Sequence, residues 1–192
     1  MTKSKIMEAT IKNFSVYGYQ GTTMRKIAEE ADIKASSIYY FFSNKQELFI
    51  EVIRFILDHH FTSMKSVFEI NKSKQLHTLF SELLKGIVSH HLKSERETKA
   101  YIMIVSSPIR DFKLEVQDYL DSYNTWLVDH LMENIGEKHP NLHKSEVKSI
   151  IDHFIFIGNG LFWGVVIYEE DDIEKNLELG ISLMNQYLNQ IL

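Results

Sequence analysis

Only two prolines, Pro108 and Pro140, interrupt the 192 residues, and through the rest of the chain apolar side chains recur at spacings of three and four. That spacing turns one face of a helix inward at every turn and gives a strand no consistent face, so the fold is read as all-α. Hydrophobic residues make up 44% of the chain, enough for a sizeable core and too many for disorder.

The period places a first helix at about residues 3–17, with Ile6, Thr10, Phe14 and Tyr17 on one stripe and Gly18 suited to end it in a left-handed conformation. Thr22 or Thr23 can cap a short second helix carrying Met24, Ile27, Ala28 and Ala31. A third, at about 34–42, holds the run Ser36-Ser37-Ile38-Tyr39-Tyr40-Phe41-Phe42. Ser43, followed three residues later by Gln46, reads as a capping box that opens a long helix to about residue 68. Further helices are expected at about 73–93, 95–106, 108–135 (ending at Gly136), 145–168 and 172–192, nine in all. The segment 155–163 sets Asn159-Gly160 between two apolar runs, which is also a hairpin signal. Helical spacing of Val147, Ile150, Ile151, Phe154, Ile157 and Leu161 favours a helix, since a lone hairpin would have no sheet to join.

The chain has no cysteine, which excludes disulfides, thiolate metal sites and a cysteine nucleophile. Net charge is −5, yet residues 1–50 carry seven Lys and Arg against five Asp and Glu, while the remainder carries fourteen against twenty-one. This asymmetry is compatible with a local DNA footprint near the amino end. The longest apolar run, 154–168, is broken by Gly158, Asn159, Gly160 and Gly164 and is shorter than a bilayer span, so a soluble, cytoplasmic protein without a membrane partner is expected.

Three features suggest chemistry that their context does not support. Gly158-x-Gly160-x-x-x-Gly164 has the wrong last spacing for a dinucleotide fingerprint and lacks a βαβ frame. His59-His60, His90-His91, His130 and His153 lack a metal-site spacing, because adjacent helical residues diverge by about 100°. Glu169-Glu170-Asp171-Asp172 suits a polar loop that caps the last helix. Hence no metal, no cofactor and no catalytic residue is expected, and the chain is not read as an enzyme.

A supporting helix followed by two short helices and a turn is the layout of a helix-turn-helix, in which the second short helix enters the major groove. Ile38 and Phe42 would share the inward face with Phe14, Ile27 and Ala31, leaving the serines and tyrosines at the sides and exposed end. A tyrosine ring can touch a thymine methyl or sugar while its hydroxyl donates to phosphate.

At these residues the sequence resembles the TetR/AcrR family of bacterial transcriptional regulators. Phe14, Gly18, Tyr19, Thr22, Thr23, Ile27, Ala28, Ala31, Ile33, Ile38, Tyr39, Tyr40, Phe42, Lys45 and Leu48 fall on its motif, over about the first quarter of the chain. The resemblance implies a helix-turn-helix domain at 1–47 and a larger helical bundle at 48–192 for ligand binding and dimerisation. By position it implies DNA contacts from Thr23, Arg25, Lys34, Ala35, Ser36, Ser37, Tyr39, Tyr40 and Lys45, the last holding a phosphate. Three positions depart from the motif: Asp32 replaces its turn glycine, Lys34 its capping serine and Phe41 its histidine.

Expected function follows from the resemblance: a repressor that binds double-stranded palindromic operator DNA as a homodimer and is released by a small apolar or aromatic ligand. The ligand would lie among Phe55, His59, Tyr101, Met103, Phe112, Tyr123, Trp126 and Phe154, which equally suit a filled core. The dimer interface would use Gly158, Gly160 and Gly164 for close approach and Phe162, Trp163, Leu177, Ile181, Met184 and Leu188 for apolar surface. The alternatives are a constitutive or architectural DNA-binding protein without a ligand and, more remotely, a helical enzyme.

Overall fold

The computed structural model describes residues 2–192, and all regular elements among them are helices. They are α1 (Thr2–Gly21), α2 (Met24–Glu30), α3 (Ala35–Tyr39), α4 (Lys45–Asn71), α5 (Leu76–Lys93), α6 (Glu95–Val105), α7 (Arg110–Lys138), α8 (Lys144–Ile167) and α9 (Glu170–Ile191). The Asn159-Gly160 segment is therefore helical, as its spacing required.

Several ends differ from the sequence reading for local reasons. In α1 the chain kinks at Gly18, whose φ of 64° and ψ of −176° lie in a region essentially confined to glycine. A Cβ added there would meet nothing within 4 Å, so the dihedrals and not the space demand glycine. The cap of α4 is Asn44 and not Ser43: Asn44 Oδ1 accepts from the Glu47 amide at 2.9 Å, and the Glu47 carboxylate accepts from the Ser43 amide at 2.7 Å. Far from stopping at Gly136, α7 runs on to Lys138. There Lys138 Nζ donates to the Lys72 and Lys74 carbonyls and Asn134 Nδ2 donates to Lys72 O at 2.8 Å, and these bonds offset the cost of a helical glycine.

Two compact units make up the chain. One comprises the residues up to His59 together with Ser94–Leu120, and the other comprises His60–Lys93 with Asp121–Leu192, so the division falls within α4 and α7. The first has its own core, in which Phe14, Phe49 and Phe112 are fully buried beside Ile6, Ile27, Ile38, Phe42 and Leu48. Its rings interlock: Phe14 meets Phe49 edge-on at 5.0 Å, and Tyr19 meets Phe49 at 4.7 Å and Phe112 at 5.1 Å. The second core joins Leu79, Phe80 and Leu84 of α5 to Leu131 and Ile135 of α7, Ile150 and Phe154 of α8, and Met184 and Leu188 of α9. Gly158 lets α5 approach α8, for a Cβ there would come within 2.9 Å of Ile87 Cδ1.

Candidate nucleic-acid interface

The start of α2 is fixed by Thr23, whose hydroxyl oxygen accepts from the Lys26 amide at 3.2 Å. Its end is closed by two backbone bonds, Ile33 N to Ala28 O at 3.0 Å and Asp32 N to Glu29 O at 3.3 Å, which together form a Schellman cap. That cap needs a left-handed residue, and Asp32 supplies it with φ of 53°, the one non-glycine positive φ among the described residues. Asparagine and aspartate tolerate this conformation better than other side chains, so the missing turn glycine is accommodated. The partly buried Ile33 then packs onto the first core.

Lys34 begins α3 without a side-chain cap, and the helix lasts only from Ala35 to Tyr39, shorter than its sequence period suggested. Ile38 and Phe42, both fully buried, anchor it on the core. What they leave outward is Lys34, Ser36, Tyr39, Tyr40 and Phe41, with Ala35 and Ser37 half-buried between them. Tyr40 is 84% exposed and meets Phe41 edge-on at 5.0 Å, so two aromatic rings form a ridge at the carboxyl end of α3.

Two lysines fasten the carboxyl end of α1 beneath this motif. Lys26 Nζ donates to Gly21 O at 2.9 Å and lies 4.3 Å from the Tyr17 ring centroid. Lys45 Nζ donates to Tyr19 O and lies 4.0 Å from the Tyr19 ring, while burial lowers its pKa. Both ammonium groups sit where helical carbonyls lack partners and the helix dipole favours cations. Lys45 thus departs from the expectation of a cation offered to phosphate: its ammonium is turned inward. Arg25 is 87% exposed and its Nε donates to Glu29 at 2.9 Å along α2.

The residues expected to line a ligand pocket divide between the two units. In the first, Phe112 is a core residue, Tyr101 and Met103 pack partly buried against that core, and Phe55 is 45% exposed. His59 Nδ1 lies 2.7 Å from the Glu97 carboxylate. In the second, Phe154 packs on Phe80 in the core at 5.3 Å. Tyr123 and Trp126 join Phe61, Phe68 and His130 in a ring cluster, with Trp126 5.3 Å from Phe61, 5.7 Å from Phe68 and 5.1 Å from His130. Trp126 Nε1 is buried there without a hydrogen-bond partner, a donor that sequence alone could not flag.

Of the residues expected at a dimer interface, Met184 and Leu188 must be corrected, because both are fully buried within their own chain. Gly158 also serves contacts inside the chain, and Leu177, Ile181 and Phe162 are half-buried. A Cβ added at Gly164, which is buried, would make an ordinary contact with the Tyr168 ring at 3.7 Å, and one at Gly160 would meet open space. Trp163 remains outward, joined by residues the sequence reading missed: Phe156 at 80% exposure and Ile167 at 67% on α8, and Leu179 at 55% and Leu183 at 47% on α9. Their signal was present as the i, i+7, i+11 spacing of Phe156, Trp163 and Ile167 on α8 and the i, i+4 spacing of Leu179 and Leu183 on α9.

A capped short helix, a left-handed turn, a second short helix anchored by Ile38 and Phe42 and an outward ridge together define a helix-turn-helix, a motif built to enter the major groove of DNA. Residues 6–52 match the family model of bacterial regulatory proteins, tetR family. The chain is 27% identical over 195 residues to the biofilm operon icaADBC HTH-type negative transcriptional regulator IcaR of Staphylococcus epidermidis, covering 98% of this chain and all of the relative. Among solved structures, a Mesorhizobium loti protein described as a TetR-family transcriptional regulator superposes with a TM-score of 0.76 at 15% identity, over 95% of this chain and 94% of that one. The regulator FadR of Bacillus subtilis, solved in complex with stearoyl-CoA, superposes with 0.72 at 15% identity, over 98% and 96%. Residues 6–52 thus carry the amino-terminal domain of tetR-family bacterial regulatory proteins, and the full-length relative and the fold neighbours are transcriptional regulators.

Proposed function

We propose that the protein is a cytoplasmic, ligand-responsive repressor that binds a palindromic operator as a homodimer. The observation that carries the DNA reading is the outward set Lys34, Ser36, Tyr39, Tyr40 and Phe41, held on α3 by fully buried anchors. Residues 1–47 serve as the DNA-binding domain, with Thr23 and Arg25 reaching the backbone from α2 and the α3 residues facing the groove. Lys45 acts by fixing the end of α1. Residues 48–192 serve ligand binding and dimerisation. Repression is supported by the likeness to IcaR, named as a negative regulator.

One short helix covers only a few base pairs, so specific binding requires two motifs about one DNA turn, or roughly 34 Å, apart. A homodimer supplies them by symmetry. The exposed stripe Phe156, Trp163 and Ile167 on α8, with Leu179 and Leu183 on α9, is the surface proposed to meet the second copy, with open Gly160 among them.

Support for a ligand comes from the buried, unpartnered Trp126 Nε1 amid apolar rings. Leaving such a donor unpaired costs about 1–3 kcal/mol, which an acceptor atom on an otherwise apolar ligand would recover. The stearoyl-CoA complex of FadR directs attention to long-chain acyl compounds. Trp126 and Trp163 are the two tryptophans of the chain, so a Trp163→Phe variant reports on Trp126 alone. Titration with acyl compounds and aromatic acids is expected to change its indole emission. A true inducer must also bind free protein more tightly than the operator complex, by the factor by which it weakens DNA binding. An operator affinity unmoved by every ligand that alters the emission would instead assign a constitutive DNA-binding protein.

A further inference from the structure

The sequence of α3 and its flanks, Lys34-Ala35-Ser36-Ser37-Ile38-Tyr39-Tyr40-Phe41-Phe42, contains no arginine, asparagine, glutamine, aspartate or glutamate. Those are the side chains that read guanine, adenine and cytosine edges by paired or charged hydrogen bonds. Lys34 is the single charged group on α3 and its flanks, and it stands at the amino end with no side-chain cap to hold it. What remains is the outward Ser36 hydroxyl, Tyr39 and the Tyr40–Phe41 ridge, whose rings sit 5.0 Å apart at 86°, with the Ala35 methyl and the Ser37 hydroxyl half-buried between them.

We infer that the operator half-site is read mainly through thymine 5-methyl groups in the major groove. This rests on the DNA-binding reading above and names the bases that the same surface recognises. The methyl group is the one apolar feature of the major-groove edge of the natural bases, and Ala and aromatic side chains meet it by contact alone. Phe41 is 37% exposed although it has no polar atom to offer water, and Tyr40 is 84% exposed. A ridge of this kind gains by covering methyls and gains nothing from a guanine or cytosine edge, where it would leave acceptors and donors dry. Serine hydroxyls donate or accept as needed and do not discriminate strongly. The half-site is therefore rich in A·T pairs opposite Ala35, Tyr40 and Phe41, and a guanine is accommodated only where Lys34 reaches.

The test uses the full chain and needs no protein variant at first. Duplexes selected from a random library by the purified protein are expected to share a thymine-rich half-site. Replacing those thymines by deoxyuracil removes only the methyl and should weaken binding about fourfold per methyl lost, the effect of exposing roughly one methylene-sized group. The same replacement outside the half-sites should change nothing. With Tyr40→Ser and Phe41→Ser, whose side chains are already exposed, the deoxyuracil effect should shrink while the guanine next to Lys34 keeps its preference. Selection of a shared site whose affinity ignores deoxyuracil overturns the methyl reading and leaves the regulator reading intact. Failure to select any shared site overturns both.

Discussion

Asp32 and Lys45 each carry a task that their residue type alone does not announce. At φ of 53° Asp32 occupies the turn where the resemblance expects glycine. Asp32→Gly is expected to raise stability by about 0.5–1 kcal/mol, whereas Asp32→Val should lower it by about 1–2 kcal/mol, because a β-branched side chain resists the left-handed region. Urea unfolding midpoints distinguish the two, and equal midpoints would show that the turn tolerates either dihedral. Lys45 bonds to Tyr19 O and lies over the Tyr19 ring. Lys45→Met should therefore cost about 1–2 kcal/mol of stability while leaving the salt dependence of DNA binding unchanged. A salt slope reduced by about one unit at unchanged stability would return Lys45 to the phosphate-binding role its sequence position suggests. Sequence marked Asp32 as a departure from the motif's turn glycine and Lys45 as an expected phosphate contact, and the direction in which the Lys45 ammonium points required coordinates, since a flexible four-carbon stem reaches solvent and core equally well.

At the scale of helices, α5 meets α8 where Gly158 stands, and buried His91 of α5 meets the Phe162 ring of α8 at 4.8 Å. Gly158→Ala would set a methyl 2.9 Å from Ile87 Cδ1. Because Ile87 Cδ1 ends a flexible side chain that can turn aside, and alanine favours the helix, the substitution should change stability by less than about 1 kcal/mol, while Gly160→Ala, with open space around it, should add up to about 1 kcal/mol through helix propensity alone. A larger loss for Gly158→Ala in thermal unfolding would show that Ile87 has no room to turn. Burial, then the neighbouring His60 and His90, hold the His91 pKa at about 3, against an ordinary value of 6.5. Between those two values the unfolded chain binds a proton that the folded chain does not, so stability falls as pH falls, by about 1.4 kcal/mol per unit, and is unaffected by this group above 6.5. Unfolding at pH 7 and pH 5 should differ by about 2 kcal/mol more in the native sequence than in His91→Gln. Identical pH dependence in the two would show that His91 is solvated. The helices themselves were legible in the sequence because two prolines and a steady period leave few alternatives. Their ends were less so: Asn44 displaced Ser43 as a cap because Glu47, one residue beyond Gln46, closes the local bonds, and α7 passed Gly136 because Asn134 and Lys138 bond to distant carbonyls. Core and pocket could not be separated for Phe112 and Phe154, since rings at helical spacing serve both.

For the whole molecule, the first fifty residues were readable as a motif because each position carries a distinct constraint: a glycine kink, a threonine cap, two buried anchors and a left-handed turn. The proposed dimer surface was not, because apolar residues on α8 and α9 repeat on two faces and only burial tells which repeat faces the core. Met184 and Leu188 took the inward one, and Phe156 and Leu183 the outward. A Phe156→Glu, Leu183→Glu double variant should be monomeric by light scattering at micromolar concentration yet keep its helical content. Operator binding by these two proteins tests the central claim most directly, with anisotropy measured on a selected duplex bearing both half-sites and on the same duplex with one half-site scrambled. The native protein should bind the two-site duplex with two chains per DNA and lose at least tenfold in affinity on the scrambled one, and the monomeric variant should bind both weakly and alike. Tight, specific binding by the monomeric variant, or native binding indifferent to the second half-site, would contradict the account.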